Sequence, residues 1–595
     1  MANNTSTNTI VWKDWNDQAF LSARTDGRPV LLALTASWCH WCHVMDQTSY
    51  SDQRVIELIN ASFIPVRVDV DQRPDISARY NQGGFPSVAF LDGDGQVLAG
   101  RIYTAPDEMV RLLEQVKSSY SEGTGKVSIT SEIVGDESVQ GSGATTAMVR
   151  GKLEEIFDSG FGGFGNEPKQ PPWEGIELLL SLYQHTGERP LKDMACQTLD
   201  GMAAGLLDQR EGGFFRYSVT RDWHVPHYEK MLYTNARLAS AYLLASRVTG
   251  RLTYRKTAIA TLDYMLTILK DPVSGLFYAS QDAEEEYYRL PWKDRDASPK
   301  ASIDTTLYTG WNALAASAFV QAIGVFGTHA YLDYGLRIME RLWDEFEGNA
   351  RRMPHEAGST GGPYFLADHV YALRAFLDCY QVTGNPVLLD RAERLVSSVR
   401  EFFTAPDGGY YDSNFGTGSG GPALPGVKPV LENALLAEAL VSLGTITGSE
   451  GYLDEARTTL DAFSGVVPGQ SYVGPPALRK VEEDEERLFL PAASAWARAS
   501  EILESGAVHL LVVGDSNHRI TKELVRAGLK AKTLRWVVQI LDPVEGPDVV
   551  QSLGFAADAS PTAYLCVGRQ CLAPIHEPAD LRKWAKPGAL ASLTV

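Results

Sequence analysis

Hydrophobic and polar positions follow two different periods along this chain. Over the first hundred residues, short apolar runs of strand length stand between amphipathic stretches. Residues 29–37, 63–70, 83–91 and 97–101 read as four strands, with Asp92-Gly93-Asp94-Gly95 a tight hairpin turn. Residues 15–28, a stretch running to near Asn60, and 106–120 read as helices. From about 145 to 505 the period becomes that of amphipathic helices. Twelve are predicted, over 145–159, 174–186, 190–209, 229–248, 252–270, 306–325, 328–347, 365–383, 386–404, 430–447, 450–465 and 490–505. After them, 508–514 and 533–541 are strand-like and 518–529 is helical. Thr562 to Cys566 and the Cys571 segment form a hairpin, and 578–585 a closing helix.

The helical region carries a repeat. Gly187, Gly250, Gly327, Gly384 and Gly448 each sit where a helix should end. Four residues on comes a bulky residue: Leu191, Tyr254, Tyr331, Leu388 or Tyr452. Eight residues on comes a small one: Ala195, Ala258, Gly335, Ala392 or Ala456. The glycine supplies a left-handed cap, the bulky residue fills the corner, and the small one lets the next helix approach closely. Each unit is therefore an αα-hairpin. The opposite ends carry Gly-aromatic segments such as Gly212-Gly213-Phe214-Phe215-Arg216-Tyr217 and Gly408-Gly409-Tyr410-Tyr411. Six hairpins closed into a ring give an (α/α)6 toroid whose long segments gather at one mouth. An aromatic-lined concavity of that kind suits a sugar.

Composition narrows the function classes. The 595 residues carry a formal charge of −20, which repels phosphate backbones and argues against nucleic acid as a partner. Six cysteines are too few for a disulfide scaffold at this length. No apolar run reaches the roughly 18 residues of a membrane helix, and no signal peptide is recognisable, so membrane association is not expected and a cytoplasmic location is. In that compartment Cys566 and Cys571 are expected as reduced thiols rather than a disulfide.

Candidate chemistry lies in two places. The first is Trp38-Cys39-His40-Trp41-Cys42-His43, where a strand runs into a helix. The helix N-terminus favours a thiolate on Cys39, and Cys42, one turn on, resolves a mixed disulfide. His40 would lower the thiol pKa further when protonated. This segment resembles the thioredoxin fold, with Cys39, Cys42 and Pro86 at matching places. A zinc site using His40 and His43 is the competing reading, although no second Cys-x-x-Cys exists to complete it. The second place is the barrel mouth. There His227 is expected at a helix start, with Glu229 and Asp282 as carboxylates for acid–base work. Arg216, Tyr217, Lys230, Trp311, Asn312, Asp368 and His369 are the candidate binding residues beside them. Gly160-Phe-Gly-Gly-Phe-Gly165 matches a dinucleotide fingerprint literally, but it follows a helix and not a strand.

Several stretches together resemble the spermatogenesis-associated protein 20 family. They are Trp38 to Met45, Arg73-Pro74-Asp75, Gly83-Gly84-Phe85-Pro86, Val225-Pro-His-Tyr-Glu-Lys-Met-Leu-Tyr233, Ala279 to Asp282 and Trp311 to Leu314. The chain departs from that family at Asp282-Ala283-Glu284 and at Pro429 to Asn433. The resemblance implies a thioredoxin-like domain fused to a barrel similar to N-acylglucosamine 2-epimerases, with no settled reaction. The expected organisation is multidomain: an α/β thioredoxin-like domain over 1–120, a linker over 121–144, an all-α (α/α)6 toroid over 145–505 and a small α/β module over 506–595. The expected function is a redox domain coupled to a carbohydrate-binding or carbohydrate-modifying barrel. A thiol–disulfide oxidoreductase whose barrel recognises a protein partner, and a non-catalytic metal or ligand sensor, are the alternatives. The partners expected are a small, sugar-like molecule or a protein disulfide, with no cofactor.

Overall fold

A computed structural model describes residues 9–122, 145–327, 329–414, 421–422, 426–464, 472–473, 485–544, 546–552, 560–568 and 570–590. The linker expected over 121–144 lies outside the described residues beyond Glu122.

The N-terminal unit runs α1 (Asp17–Asp26), β1 (Val30–Thr35), α2 (His40–Gln47), α3 (Gln53–Ser62), β2 (Ile64–Asp69), α4 (Pro74–Tyr80), β3 (Ser87–Leu91), β4 (Val97–Arg101) and α5 (Pro106–Ser121). Its sheet has the order β2-β1-β3-β4, with β1 parallel to β2 and the other pairings antiparallel. Strand β1 is apolar throughout because both of its faces are covered. Leu31 and Ala33 face a core with Met45, Ile59, Phe90 and Leu113. Leu32 and Leu34 face a second core with Cys39, Cys42, Val66 and Ala89. That second core also contains Met231, 130 residues beyond the last strand of the sheet and part of the helical region.

The helical region is a closed double ring. Its elements in chain order are α6 (Thr146–Ile156), α7 (Trp173–Thr186), α8 (Arg189–Gly205), β5 (Tyr217–Ser218), β6 (Pro226–His227), β7 (Lys230–Met231), α9 (Leu232–Thr249), α10 (Leu252–Tyr264), β8 (Ser280–Gln281), α11 (Glu285–Arg289) and α12 (Trp292–Ala297). They continue with β9 (Ile303–Asp304), α13 (Thr309–Gln321), α14 (Ile323–Phe326), α15 (Ala330–Gly348), α16 (Leu366–Thr383), α17 (Pro386–Phe403), β10 (Lys428–Pro429), α18 (Val430–Thr447), α19 (Glu450–Asp461), β11 (Tyr472–Val473) and α20 (Glu485–Ser505). Helices α7, α9, α13, α16, α18 and α20 pack each on the next, and α20 returns to α7. Helices α8, α10, α15, α17, α19 and α6 pack outside them, one per inner helix. The (α/α)6 toroid follows from these neighbours alone.

The repeat behaves as its residues require. Gly187, Gly250, Gly327, Gly384 and Gly448 all take positive φ, between 69° and 79°, at helix C-termini. A Cβ at Gly335 would come within 2.6 Å of Val320, so the small residue there is a packing requirement. Inner helices are buried all round, which removes the amphipathic signal. Contrary to the expectation that no run is long enough, Val430–Thr447, with Glu432 and Glu438 within it, has the length and a mean hydropathy of 1.3 that would suit a membrane helix, yet 72% of it is buried within the ring. Charge fills the ring's axis. Arg498 is fully buried between Glu177 at 2.7 Å and Glu438 at 2.5 Å, and Arg237 pairs with Glu174.

The C-terminal unit runs β12 (Val508–Val513), α21 (Arg519–Ala531), β13 (Trp536–Leu541), α22 (Pro547–Ser552), β14 (Thr562–Val567), β15 (Gln570–Cys571) and α23 (Pro578–Trp584). Its sheet order is β13-β12-β14-β15, parallel for the first pair and antiparallel for the others. This repeats the strand order and directions of the N-terminal sheet, without a Cys-x-x-Cys after the first strand. Cys566 and Cys571 face each other across β14 and β15 and are joined as a disulfide, where reduced thiols were expected. Cross-strand register, not cysteine number, decides this pairing.

Candidate functional site

Cysteine placement follows from the turn after β1. Cys39 caps α2, and its Sγ accepts the Cys42 N–H at 3.3 Å. The two thiols are 5% and 2% exposed, so neither sulfur is open to a large partner. Phe85, preceding Pro86 across a cis peptide bond, sets its ring 6.1 Å from Trp38. His40 lies beside Trp41, with ring centroids 5.9 Å apart. The hydrogen bond between Cys39 and Cys42, with burial and the Glu229 carboxylate behind it, pushes the Cys39 thiol up, while the same bond holds Cys42 down. The pair therefore gives up one proton and shares the second.

The barrel mouth covers this pair. The Arg216 guanidinium lies 3.8 Å from the Trp38 ring centroid, and Ser37 donates to Asp304 at 2.5 Å. Trp38 Nε1 donates to Asp71 at 2.5 Å. Burial and the neighbouring Asp69 push the Asp71 carboxyl up to about 7. Tyr233 and Trp311, 4.9 Å apart, pack on the core that holds both sulfurs.

His227 does not start a helix. It lies on β6, paired with Tyr217 on β5, and the helix begins only at Leu232. The reason is Pro226 and the buried Glu229-Lys230 pair, whose side chains are anchored in an extended segment. His227 stacks on Tyr217 at 4.8 Å, and its Nδ1 bonds Glu229 Oε2. Glu229 is fully buried, and its Oε1 has no partner among the described residues. Burial raises the Asp282 carboxyl, with His43, Glu229 and Glu284 as its charged neighbours. Burial likewise raises Tyr217, to about 12, with Glu229, Arg216 and Cys39 around it. The structure thus brings Cys39, Cys42, His43, Arg216, Tyr217, His227, Glu229 and Asp282 to one junction between two units. Among the described residues no group of three metal-ligating side chains is assembled.

Four expected binding residues sit elsewhere, in the frame. Lys230 is fully buried and donates to Asp208 at 2.7 Å and to the Gly212 carbonyl at 3.1 Å. Asn312 receives the Phe277 N–H and donates to the Phe277 and Tyr308 carbonyls. Asn235 makes the same three bonds to Phe214 and Met231, and Asn433 makes them to Tyr410 and Pro429. This asparagine clamp ties each Gly-aromatic loop to the first turn of an inner helix. His369 does the same work in the fourth hairpin, bonding the Phe365 carbonyl and the Met353 N–H. Burial lowers it to about 4, which keeps it neutral. Asp368 accepts the Gly310 N–H at 2.9 Å and bonds His355 at 2.8 Å.

His355 is the residue whose role sequence reasoning missed. Its Nε2 bonds the Asp71 carbonyl at 2.6 Å, so it joins the barrel to the N-terminal sheet. Burial opposes its charge, but Asp368 and the Asp71 carbonyl outweigh that and raise it to about 9. Only the adjacent Glu356 marked it in the sequence, and that signal is weak.

Residues 2–137 match the family Thioredox_DsbH, described as a protein of unknown function, DUF255. Spermatogenesis-associated protein 20 of Homo sapiens is 25% identical over 732 residues, covering 98% of this chain and 90% of that protein. Over nearly its whole length the chain is similar to the spermatogenesis-associated protein 20 proteins. Within its first unit it is also 25% identical to the disulfide bond reductase DsbH of Chlamydia pneumoniae over 122 residues, 18% of this chain and 72% of that one. A sugar epimerase from a ruminal bacterium aligns over 60% of this chain and 98% of its own, at 12% identity and a TM-score of 0.48.

Proposed function

We propose that the chain is a thiol–disulfide oxidoreductase acting on a small substrate presented at the barrel mouth. One observation carries this reading: both sulfurs are buried in a core completed by Met231 of the barrel and flanked by Tyr233 and Trp311. Burial of both sulfurs under that cover disfavours a folded protein's disulfide, and the reading assigns a small disulfide entering at the His227 side. In the first step the pair's thiolate attacks one sulfur of the substrate disulfide. A mixed disulfide forms, the substrate S–S bond breaks, and the leaving thiolate takes a proton from His227, held by Glu229. The second cysteine then displaces the remaining thiol, leaving Cys39 and Cys42 oxidised and the substrate reduced to two thiols. An external dithiol reductant returns the pair to its starting state.

The test compares a low-molecular-weight disulfide with insulin as substrates for the full chain in the presence of dithiothreitol. The expected result is catalysed reduction of the small disulfide, its loss in Cys39→Ser, and no acceleration with insulin. Equal rates on both substrates would remove the barrel from the reading. A second reading is proton transfer on a sugar by His227 and Asp282, favoured by the raised Asp282 carboxyl. It predicts sugar turnover that survives in the Cys39→Ser, Cys42→Ser double variant and is lost in His227→Ala.

A further inference from the structure

A cavity of about 120 Å³ lies within the ring at the end opposite the cysteine pair, bordered by the C-terminal unit. Its wall comes from all the inner helices and from residues 529–537 that join α21 to β13. Although the chain as a whole is acidic, five cationic side chains line this cavity against three carboxylates. Arg237 and Arg374 are matched, to Glu174 and to Glu438 at 2.5 Å. The other three cations are not matched in that way. Lys532 approaches Asp378 only to 3.6 Å, and Asp378 already accepts the Gln321 amide at 2.9 Å. Arg535 donates to the Ser505 and Gly506 carbonyls, each at 2.9 Å, and lies 3.7 Å from Glu501. Among the described residues Arg247 has no hydrogen bond or ion pair, its buried Nε is unpartnered, and Asp378 is the carboxylate whose charge it feels.

A buried guanidinium N–H left without a hydrogen-bond partner is costly. Burial lowers Arg247 to about 10, and it lowers Lys532 and Arg535 as well. Such a cluster is built for an occupant that supplies negative charge. Arg247, Gln321, Asp378 and Lys532 are only half-buried, so solvent reaches the site. Ser240, Ser317, Ser442 and the Gln321 amide add hydroxyl and amide groups along the same wall.

We propose that this cavity binds a small phosphorylated polyol, its phosphate held by Arg247 and Lys532 and its hydroxyls by the serine-lined wall. Guanidinium and ammonium groups converging from two units match a phosphate better than a neutral sugar. The site is distinct from the cysteine pair and does not rest on the redox reading. Because it bridges α9, α16 and the C-terminal unit, its occupant would also fasten that unit to the ring.

The experiment is calorimetric titration of the full chain with inorganic phosphate, a hexose 6-phosphate and the neutral hexose. Binding is expected for the two phosphates, tighter for the hexose phosphate, and weakened by added salt. Arg247→Gln should weaken it at least about tenfold, with partial recovery in Arg247→Lys. Asp378→Asn, which removes a carboxylate from the wall, should tighten it several-fold, and this arm stands even if Arg247→Gln fails to fold. Cys39→Ser should leave binding unchanged. The proposal is overturned by three results: no phosphate or hexose phosphate binding up to about 10 mM, neutral hexose binding as tightly as its phosphate, or affinity unchanged across the Arg247 and Asp378 variants.

Discussion

The guanidinium of Arg216 covers the indole of Trp38, the residue before Cys39, at 3.8 Å. A contact between the barrel mouth and the Cys-x-x-Cys turn therefore covers the cysteine pair. A desolvated cation–π contact of this type contributes about 2 kcal/mol. Replacing Arg216 by Ala should loosen the cover and leave both folds intact. Alkylation of Cys39 by a bulky maleimide should then accelerate on the order of tenfold, while a small reagent such as iodoacetamide gains less.

His355 makes the docking of the two units depend on pH. Its folded value of about 9 lies above the unfolded value of about 6.5. Its stabilisation is thus complete below pH 6.5 and disappears as pH rises through about 9. Asp71, raised to about 7 from an ordinary carboxyl value near 4, acts in the same direction at lower pH. The melting temperature of the wild type should fall from pH 6.5 to 9 relative to His355→Gln, whose profile should be flatter over that window.

Lys230 should matter for stability before it matters for chemistry. Lys230→Met leaves Asp208 with Arg295 as its remaining cationic partner, at 2.7 Å. The expected cost is on the order of 3 kcal/mol, the lower end for breaking a buried pair. A lowered urea midpoint with thiol reactivity preserved would confirm this. Loss of reactivity at full stability would place Lys230 in the site instead.

Reduction of the Cys566–Cys571 disulfide releases only a short loop. A loss of about 2 kcal/mol is expected on the chain-entropy account. Hydrogen exchange before and after reduction should rise in residues 508–590 and stay unchanged in the ring.

Much of this architecture is legible in the sequence because it rests on local rules. The five capping glycines, the apolar strands and the Cys-x-x-Cys at a helix start each state their own geometry. The candidate site was harder to read because it forms between distant segments. Cys39, His227 and Asp282 could each be picked out by residue type, but their meeting depends on how the first unit docks. Asn312, Lys230 and His369 looked chemical because polar residues in an apolar helix usually signal function. Their hydrogen bonds show a clamp repeated around the ring, a demand of backbone accounting that side-chain type does not reveal. The disulfide was misjudged because compartment was argued from composition while pairing is set by strand register.

The Thr146 hydroxyl donates to the Ala497 carbonyl, so the ring is locked by residues 351 positions apart. During synthesis the first sheet emerges and folds long before α20 can close the ring. Until Arg216, Met231, Tyr233 and Trp311 are made, Cys39 and Cys42 lack the cover the barrel gives them. The nascent chain thus has a window of vulnerability to oxidants, and of access for large redox partners, that lasts until the segment from Arg216 to Trp311 has docked over the pair.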